Sequence, residues 1–249
     1  MNRFIFTSYY ANPTKALKEK YSISNITPKW FEVDGTIEEL YPDKESVFDY
    51  KKGIITTAEF INIYRKKLHG LDKDLINSLY GKSLFCYEKP SDFCHRHLLR
   101  EYLQLRGEIC IEIPNTKLPS IGAVGSRGFN DKEILYSIMD ELSDMFDYKV
   151  ISGGARGADS LGEKYAVENK KETLIHLPDW EKHGKPAAFI RNKNIVDDSD
   201  IILAFWDGES RGTKNTIDIA YRQHKQIIIY DYKEKRLYLH TMKKYLYKK

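Results

Sequence analysis

The chain has 249 residues, of which 41% are hydrophobic and 31% are charged, a composition that supplies a packed core and excludes a disordered chain. No stretch approaches the ~18 apolar residues that a membrane span needs, and the net charge of +4 is too small to indicate an anionic membrane or a nucleic acid as the partner. Three cysteines are too few for a disulfide framework, so we expect a cytoplasmic protein.

The first half of the chain alternates strand and helix patterns. Its first apolar run, residues 4–6, is too short for a signal peptide and predicts a buried strand. Thr56 and Glu59 have the spacing of a capping box, which predicts the start of a helix. The remaining elements are predicted as a helix after Asp72, a strand over residues 84–87 and a helix over residues 94–105. Together they predict an α/β domain over residues 1–113.

The second half alternates more regularly. Strands are predicted over residues 120–124, 149–152, 173–177, 200–205 and 226–230, with helices over 131–146, 158–169, 186–196 and 213–223. The strands are continuous apolar runs, which is typical of a parallel sheet covered by helices on both faces. We therefore predict a Rossmann-like, doubly wound parallel sheet over residues 119–232.

A boundary and a tail complete the predicted organisation. Two prolines bracket residues 114–119, and neither residue fits a helix interior, so this stretch predicts the domain boundary. Residues 233–249 are predicted to form a basic C-terminal tail, interpreted as a solvated helix or frayed terminus rather than a nucleic-acid-binding arm. The last lysines of the tail are Lys243, Lys244, Lys248 and Lys249.

The loops that follow the second set of strands carry the predicted ligand site. Ligands of an open parallel sheet bind beyond the carboxyl ends of its strands. Glycine-rich loops that open helices present amides and a positive helix end to phosphate, and arginines add bidentate contacts. Trp180 or Trp206 can stack on a base, although each tryptophan alone is more typical of a core. The predicted ligand-binding residues are Gly125, Ser126, Arg127, Gly153, Gly154, Ala155, Arg156, Gly157, Asp159, Arg191, Asn192, Trp206, Asp207, Ser210, Arg211, Gly212 and Thr213.

Four strings in these loops carry a family likeness: VGSR at 124–127, ISGGARGAD at 151–159, IRN at 190–192 and FWDGESRGT at 205–213. They resemble the SLOG superfamily, the Rossmann-like group of LOG nucleotide phosphoribohydrolases and the DNA-processing protein DprA, and within it the YspA/YpsA-related branch. The resemblance implies a nucleotide or nucleotide-derived ligand, ADP-ribose-like in some members, and a homo-oligomer. The hydrolase members end the signature P-G-G-x-G-T-x-x-E in a catalytic glutamate, whereas this chain has Thr216 there.

Three functions are compatible with these patterns. The first is a sensor or sequestering protein that binds a nucleotide-derived ligand without a cofactor. The second is a hydrolase or transferase acting on an N-glycosidic bond of nucleotides or NAD-derived substrates, with Asp207 or Glu209 as the catalytic carboxylate. The third is a DprA-like single-stranded DNA binder, which the modest net charge and the lack of a basic stripe disfavour. The missing glutamate favours the first.

The first half resembles, less strongly, domain-of-unknown-function family 488, through a strand, an acidic loop and Cys94-His95-Arg96 at a helix start. A thiol at a helix N-terminus, beside a histidine and an arginine, is expected to have a lowered pKa, which makes Cys94 a candidate nucleophile. A small buried side chain without chemistry is the alternative. A metal site can also be drawn from Cys86, Cys94, His95 and His97, but no C-x-x-C pair supports it, and we predict no metal.

Overall fold

The computed structural model describes residues 3–14 and 17–240. The chain divides into two units, and the main division falls between Lys117 and Leu118, within the proline-bracketed stretch. Residues 144–146 group with the first unit. The four terminal lysines of the predicted tail lie outside the described residues. Among the described residues, no helix has the length and apolar character that a bilayer span requires.

The first unit is built on a parallel sheet of five strands in the order β3-β2-β4-β1-β5. Its strands are β1 (Ile5–Tyr9), β2 (Lys20–Ser22), β3 (Gly35–Thr36), β4 (Ser83–Cys86) and β5 (Cys110–Glu112). Its helices are α1 (Lys44–Lys51), α2 (Thr57–His69), α3 (Lys73–Ser78) and α4 (His95–Leu105), with a short 3-10 turn at Glu38–Leu40. The predicted α/β class is confirmed.

Helix α2 begins and packs for reasons that are visible in its sequence. The hydroxyl of Thr56 accepts from the amide of Glu59, and the Glu59 carboxylate accepts from the Thr56 amide at 2.7 Å, so two amides without intrahelical acceptors are satisfied. Phe60, Tyr64 and Leu68 follow at intervals of four residues and are all buried. A single face of the helix therefore covers the sheet. Strands β2, β3 and β5 were not predicted, because two or three residues are too few to establish a periodicity.

The second unit contains a six-stranded sheet in the order β11-β10-β9-β6-β7-β8. Its strands are β6 (Ser120–Gly125), β7 (Lys149–Ser152), β8 (Thr173–Ile175), β9 (Ile201–Trp206), β10 (Gln226–Asp231) and β11 (Arg236–Leu239). The helices are α5 (Lys132–Met145), α6 (Ala158–Glu168), α7 (Trp180–His183), α8 (Ala187–Asp197) and α9 (Arg211–Arg222). The pairings are parallel except for β10 with β11. The Rossmann-like prediction is confirmed.

The order of the strands creates a switch point between β6 and β9. From β6 the chain proceeds outward through β7 to β8, and it then returns to place β9 on the other side of β6, followed by β10. The loops that leave β6 and β9 therefore diverge to opposite sides of the sheet. Such a divergence leaves a crevice beyond the carboxyl ends of the two strands, where open α/β sheets bind their ligands.

Two strands of the second unit differ from the prediction. Part of the predicted tail, Arg236–Leu239, forms β11, which pairs with β10 in antiparallel register. Lys235, at a φ of 50°, helps the chain to reverse, and its basic neighbours conceal the strand in the composition. Strand β8 was predicted as a buried apolar run over residues 173–177, but it ends at Ile175 and its three residues are exposed, because β8 is the edge of the sheet.

Candidate functional site

A cavity of about 430 Å³ opens at the switch point between β6 and β9. Its wall comes from the loop after β6, the start of α6, one face of α8, the loop after β9 and the first turns of α9. The residues on the wall are Val124, Gly125, Ser126, Arg127, Gly128, Ala155, Asp159, Ala188, Arg191, Asn192, Ile195, Asp207, Ser210, Gly212, Thr213 and Thr216. All of them belong to the second unit. The structure thus brings together eleven of the predicted ligand-binding residues: Gly125, Ser126, Arg127, Ala155, Asp159, Arg191, Asn192, Asp207, Ser210, Gly212 and Thr213.

A buried ion pair closes one side of the cavity. Asp159 is 3% exposed, and its Oδ2 lies 3.3 Å from Nη1 of Arg191. The same carboxylate accepts from the amides of Gly125 and Gly153, at 3.3 and 3.2 Å. Burial raises the pKa of Asp159 to about 6, although Arg191 and the amide hydrogen bonds act in the opposite direction. The Nη1 of Arg191 also donates to the carbonyl of Gly153 at 2.7 Å, which fixes the guanidinium against the loop after β7.

The glycines of the first two loops are needed for close packing. A Cβ on Gly125 would lie 2.4 Å from the carbonyl oxygen of Phe205, and a Cβ on Gly153 would overlap the guanidinium of Arg191. Gly157 has a φ of 88°, and a Cβ there would lie 2.4 Å from the carbonyl oxygen of Ser126. Packing within the protein therefore explains each glycine, because a backbone or a guanidinium occupies the space that a side chain would need.

The two helix N-termini at the cavity are electrostatically different. Helix α6 carries Asp159 in its first turn, and this carboxylate already compensates the positive end of the helix. Helix α9 has no acidic residue in its first turn, and its N-cap hydroxyl, from Ser210, accepts from the amide of Thr213. By helix geometry, the amides of Arg211 and Gly212 have no intrahelical acceptor. The first turn of α9 thus has backbone amides on this wall that no acidic side chain of the same turn compensates.

The carboxylates that were candidate catalysts occupy different environments. Asp207 lies on the wall, and its Oδ1 accepts from the amides of Glu209 and Ser210 at 2.9 and 2.7 Å. Burial would raise the pKa of Asp207, but these amides hold the pKa below its usual value. Glu209 is exposed, lies off the wall and pairs with Nζ of Lys233 at 2.7 Å. Thr216, where hydrolases of the resembling group carry glutamate, lines the cavity and donates its hydroxyl to the carbonyl of Gly212 at 3.3 Å.

Several predicted residues lie outside the cavity wall: Gly153, Gly154, Arg156, Gly157, Trp206 and Arg211. The amides of Gly153 and Gly154 donate to Asp159 and to the Ser152 hydroxyl, so they are not directed at the cavity. Arg156 and Arg211 are exposed, and the indole of Trp206 donates to the carbonyl of Ser210. Ala188 and Ile195 were not predicted. Their spacing in the sequence could have identified them, because Ala188 lies three residues before Arg191 and Ile195 lies four residues after it, which places all three on one face of a helix.

Cys94 has the position that the sequence predicts, at the N-cap of α4, and it is 2% exposed. The hydrogen bond with Cys86 lowers the pKa of Cys94 to about 6, with further lowering by His95 and Arg96, while the pKa of Cys86 is raised. His97 is not grouped with them; its Nε2 lies 3.0 Å from Nη2 of Arg96. The structure therefore supports a lowered thiol pKa at a site that is almost closed to solvent.

Comparisons with known proteins identify a family and a relative of this chain. Residues 121–183 match the family model described as the YspA, cpYpsA-related SLOG family. The Gene 61 protein of Mycobacterium phage D29 is 35% identical over 106 residues, which cover 39% of this chain and 85% of the phage protein.

Two solved structures of DNA processing protein A are also similar. The Helicobacter pylori protein, studied for its single-stranded DNA binding mode, is 18% identical with a TM-score of 0.37, over 45% of this chain and 64% of its own. The Streptococcus pneumoniae protein is 13% identical with a TM-score of 0.39, over 74% of this chain and 80% of its own. By the family model and the phage relative, the chain belongs to the YspA, cpYpsA-related SLOG family.

Proposed function

We propose that the second unit binds a nucleotide or nucleotide-derived ligand of the ADP-ribose type and acts as a sensor or a sequestering protein. The observation that carries this proposal is the cavity at the β6–β9 switch point, with Arg127 and the first turn of α9 on its wall. Its volume of about 430 Å³ lies in the range of small-molecule sites. The ligand is expected to bind without a cofactor.

The charges around the cavity favour an anion despite its two carboxylates. Asp159 is engaged by Arg191 and two amides, and Asp207 by two further amides. Arg127 is exposed, and no carboxylate in the described part of the chain lies within ion-pair distance of it. Its guanidinium and the amides of the first turn of α9 are therefore available to donate to a phosphate.

The remaining wall fits the rest of a nucleotide. Val124, Ala188 and Ile195 form an apolar surface, which suits the face of a base or a ribose. Asn192 stands beside them, and its amide donates to Asn215 at 3.1 Å and to the carbonyl of Gly212 at 3.3 Å. One side chain thus connects α8 to the first turn of α9, which keeps the proposed sugar and phosphate regions in a fixed relation.

Calorimetry with ADP-ribose, AMP and a single-stranded oligonucleotide tests the proposal. We expect one of the two nucleotides to bind, and Arg127→Ala to weaken that binding at least about tenfold, because a charge-assisted bidentate contact is worth about 1.5–3 kcal/mol. Arg156→Ala is the matched control, because Arg156 is an exposed arginine off the cavity wall. Equal affinities of the two variants, or no binding of either nucleotide, would contradict the proposal.

One observation favours a second candidate, cleavage of an N-glycosidic bond. Asp207 lies on the cavity wall as an ionised carboxylate, and such a group can stabilise an oxocarbenium-like transition state. Chromatography of nucleoside monophosphates, NAD and ADP-ribose after incubation would reveal a product, and Asp207→Asn would abolish it. Salt-sensitive binding of the oligonucleotide in place of the nucleotides would instead favour a single-stranded DNA binder.

A further inference from the structure

The first unit contains a buried cluster of two thiols and an imidazole that the nucleotide site does not use. Cys86 is the last residue of β4, Cys94 is the N-cap of α4 and His95 is the first residue of that helix. The Sγ of each cysteine and a ring nitrogen of His95 all lie within 4.8 Å of one another. All three residues are buried. The end of β4 and the start of α4 thus bring three metal-ligating groups together.

The tautomer of His95 directs the correct nitrogen at the sulfurs. Nε2 lies 2.8 Å from the carbonyl oxygen of Ile23, which can only accept, so Nε2 carries the proton. With the proton on Nε2, the lone pair of Nδ1 faces the sulfurs of Cys86 and Cys94. A hydrogen bond from the far nitrogen to a carbonyl is the arrangement that orients metal-binding histidines. The ring of Tyr64 packs edge-on against His95, with centroids 5.2 Å apart, and holds the imidazole in place.

The spacing of the three ligand atoms suits a small tetrahedral ion. Nδ1 of His95 lies 3.5 Å from Sγ of Cys86 and 3.9 Å from Sγ of Cys94. With metal–sulfur bonds of about 2.3 Å and metal–nitrogen bonds of about 2.0 Å, the sulfur–nitrogen edge of a tetrahedron is about 3.5 Å. Little movement is therefore needed to accept the ion. Two sulfurs and one imidazole nitrogen are soft and borderline ligands, which favour Zn²⁺ over Mg²⁺ or Ca²⁺.

Charge around the cluster is compatible with a divalent cation. Arg96 donates to Sγ of Cys94 at 3.6 Å, but Glu112 compensates its guanidinium at 2.9 Å. Two thiolates balance the charge of Zn²⁺, and their protons leave to solvent when the ion binds. The three ligands also line a cavity of about 180 Å³, which Glu88 borders as well. A fourth coordination position would face that cavity.

We propose that Cys86, Cys94 and His95 form a zinc site with one open coordination position. The site is independent of the nucleotide cavity, since all three ligands belong to the first unit. An open position is the arrangement of zinc sites that bind water or a substrate group, in contrast to closed structural sites with four protein ligands. The exogenous ligand would enter through the cavity beside Glu88.

Metal analysis of the full chain tests this proposal. The protein is produced with zinc in the medium, kept reduced with a phosphine and passed through gel filtration, and its zinc is measured by mass spectrometry. We expect about one zinc per chain in the wild type and in Cys110→Ser, and a loss of about tenfold in Cys94→Ser and Cys86→Ser. Cys110 is the matched control because it is an equally buried free cysteine that is not part of the cluster.

Cobalt provides a second measurement that does not depend on the variants folding. When Co²⁺ is added to the reduced, metal-free wild-type chain, we expect thiolate-to-cobalt charge-transfer absorption that saturates at about one equivalent and disappears when Zn²⁺ is added. Wild-type protein without zinc and without this absorption would overturn the proposal, as would equal zinc contents in Cys94→Ser and Cys110→Ser. A Cys86–Cys94 disulfide, with no cobalt binding after its reduction, would also overturn it.

Discussion

Nη1 of Arg191 lies 3.3 Å from Oδ2 of Asp159, and the two side chains are only 12% and 5% exposed. This pair joins α8 to the start of α6 at the wall of the cavity between β6 and β9. Through Asp159 it also reaches the amides of Gly125 and Gly153, at the ends of β6 and β7. One carboxylate therefore organises the two glycine-rich loops, so that the local order of the site depends on it.

Removal of this carboxylate should destabilise the second unit. Asp159→Ala leaves the Arg191 guanidinium buried without its counter-charge, and a broken buried pair costs about 3–5 kcal/mol. We therefore expect a loss of about 3 kcal/mol in the free energy of unfolding, measured by urea denaturation. Asp218→Ala is the control, because Asp218 forms an exposed pair with Lys214 on one helix, and it should change stability by less than about 0.5 kcal/mol. Similar losses in both variants would contradict this assignment.

The titration of Asp159 should lower the free energy of unfolding as the pH rises, whereas a carboxylate with a lowered pKa has the opposite effect. Its pKa is about 6 in the folded chain, above the value of about 3.9 for an exposed aspartate. Between these values the unfolded chain has released the proton while the folded chain retains it, so stability falls as the pH rises. The free energy of unfolding of the wild type, minus that of Asp159→Asn, should fall from about pH 4 to about pH 6. Above that range this difference between the two proteins should be constant. A difference that rises or stays flat across that window would refute the raised pKa.

The same titration should affect ligand binding. Below about pH 6, protonated Asp159 removes a negative charge from the wall and releases Arg191 toward an anion. We expect ADP-ribose, whose diphosphate does not titrate near pH 6, to bind at least about threefold more tightly at about pH 5 than at about pH 8. In Asp159→Asn this pH dependence should be lost. Calorimetry at the two pH values measures both proteins, and an unchanged dependence in the variant would point to another group.

Two glycines on the cavity wall should respond oppositely to alanine. A Cβ on Gly125 would lie 2.4 Å from the Phe205 carbonyl oxygen and 2.7 Å from the Ala158 Cβ, so Gly125→Ala should cost about 1–3 kcal/mol of stability. A Cβ on Gly212 meets no atom within 4 Å. Gly212→Ala should leave stability equal or raise it by up to about 1 kcal/mol, since alanine favours the helix. Its methyl group would nevertheless weaken nucleotide binding, and normal affinity there would place the ligand elsewhere.

The first unit has its own buried pair. Arg96 is fully buried and lies 2.9 Å from Glu112, whose carboxylate also accepts from the hydroxyl of Thr7 at 2.5 Å. Arg96→Met should therefore cost about 3 kcal/mol, because Glu112 loses its nearest counter-charge. The exposed pair of Arg65 and Glu101 has the same 2.9 Å separation, yet Arg65→Met should cost less than about 1 kcal/mol. Thermal and urea denaturation would measure both variants, and equal costs would show that burial does not decide the outcome.

Local patterns in the sequence determined the alternation of strands and helices, the capping box of α2 and the loops that meet at the switch point. These features depend on the periodicity of neighbouring residues and on hydroxyl, carboxylate and glycine positions within a few residues of each other. The likeness to the SLOG superfamily rested on the same loops. Arg127, Arg191 and Asp207 were therefore found from sequence and lie on the cavity wall.

Tertiary structure alone decided which of these groups line the cavity. The Gly153 amide looked like a phosphate donor, but Asp159 accepts from it, and the same carboxylate accepts from Gly125, which is 34 residues away along the chain. Similarly, the tautomer of His95 is fixed by its hydrogen bond to the carbonyl of Ile23, which is 72 residues away along the chain. Local periodicity carries no information on such long-range hydrogen bonds, because only the packing of the folded chain determines which donor meets which acceptor.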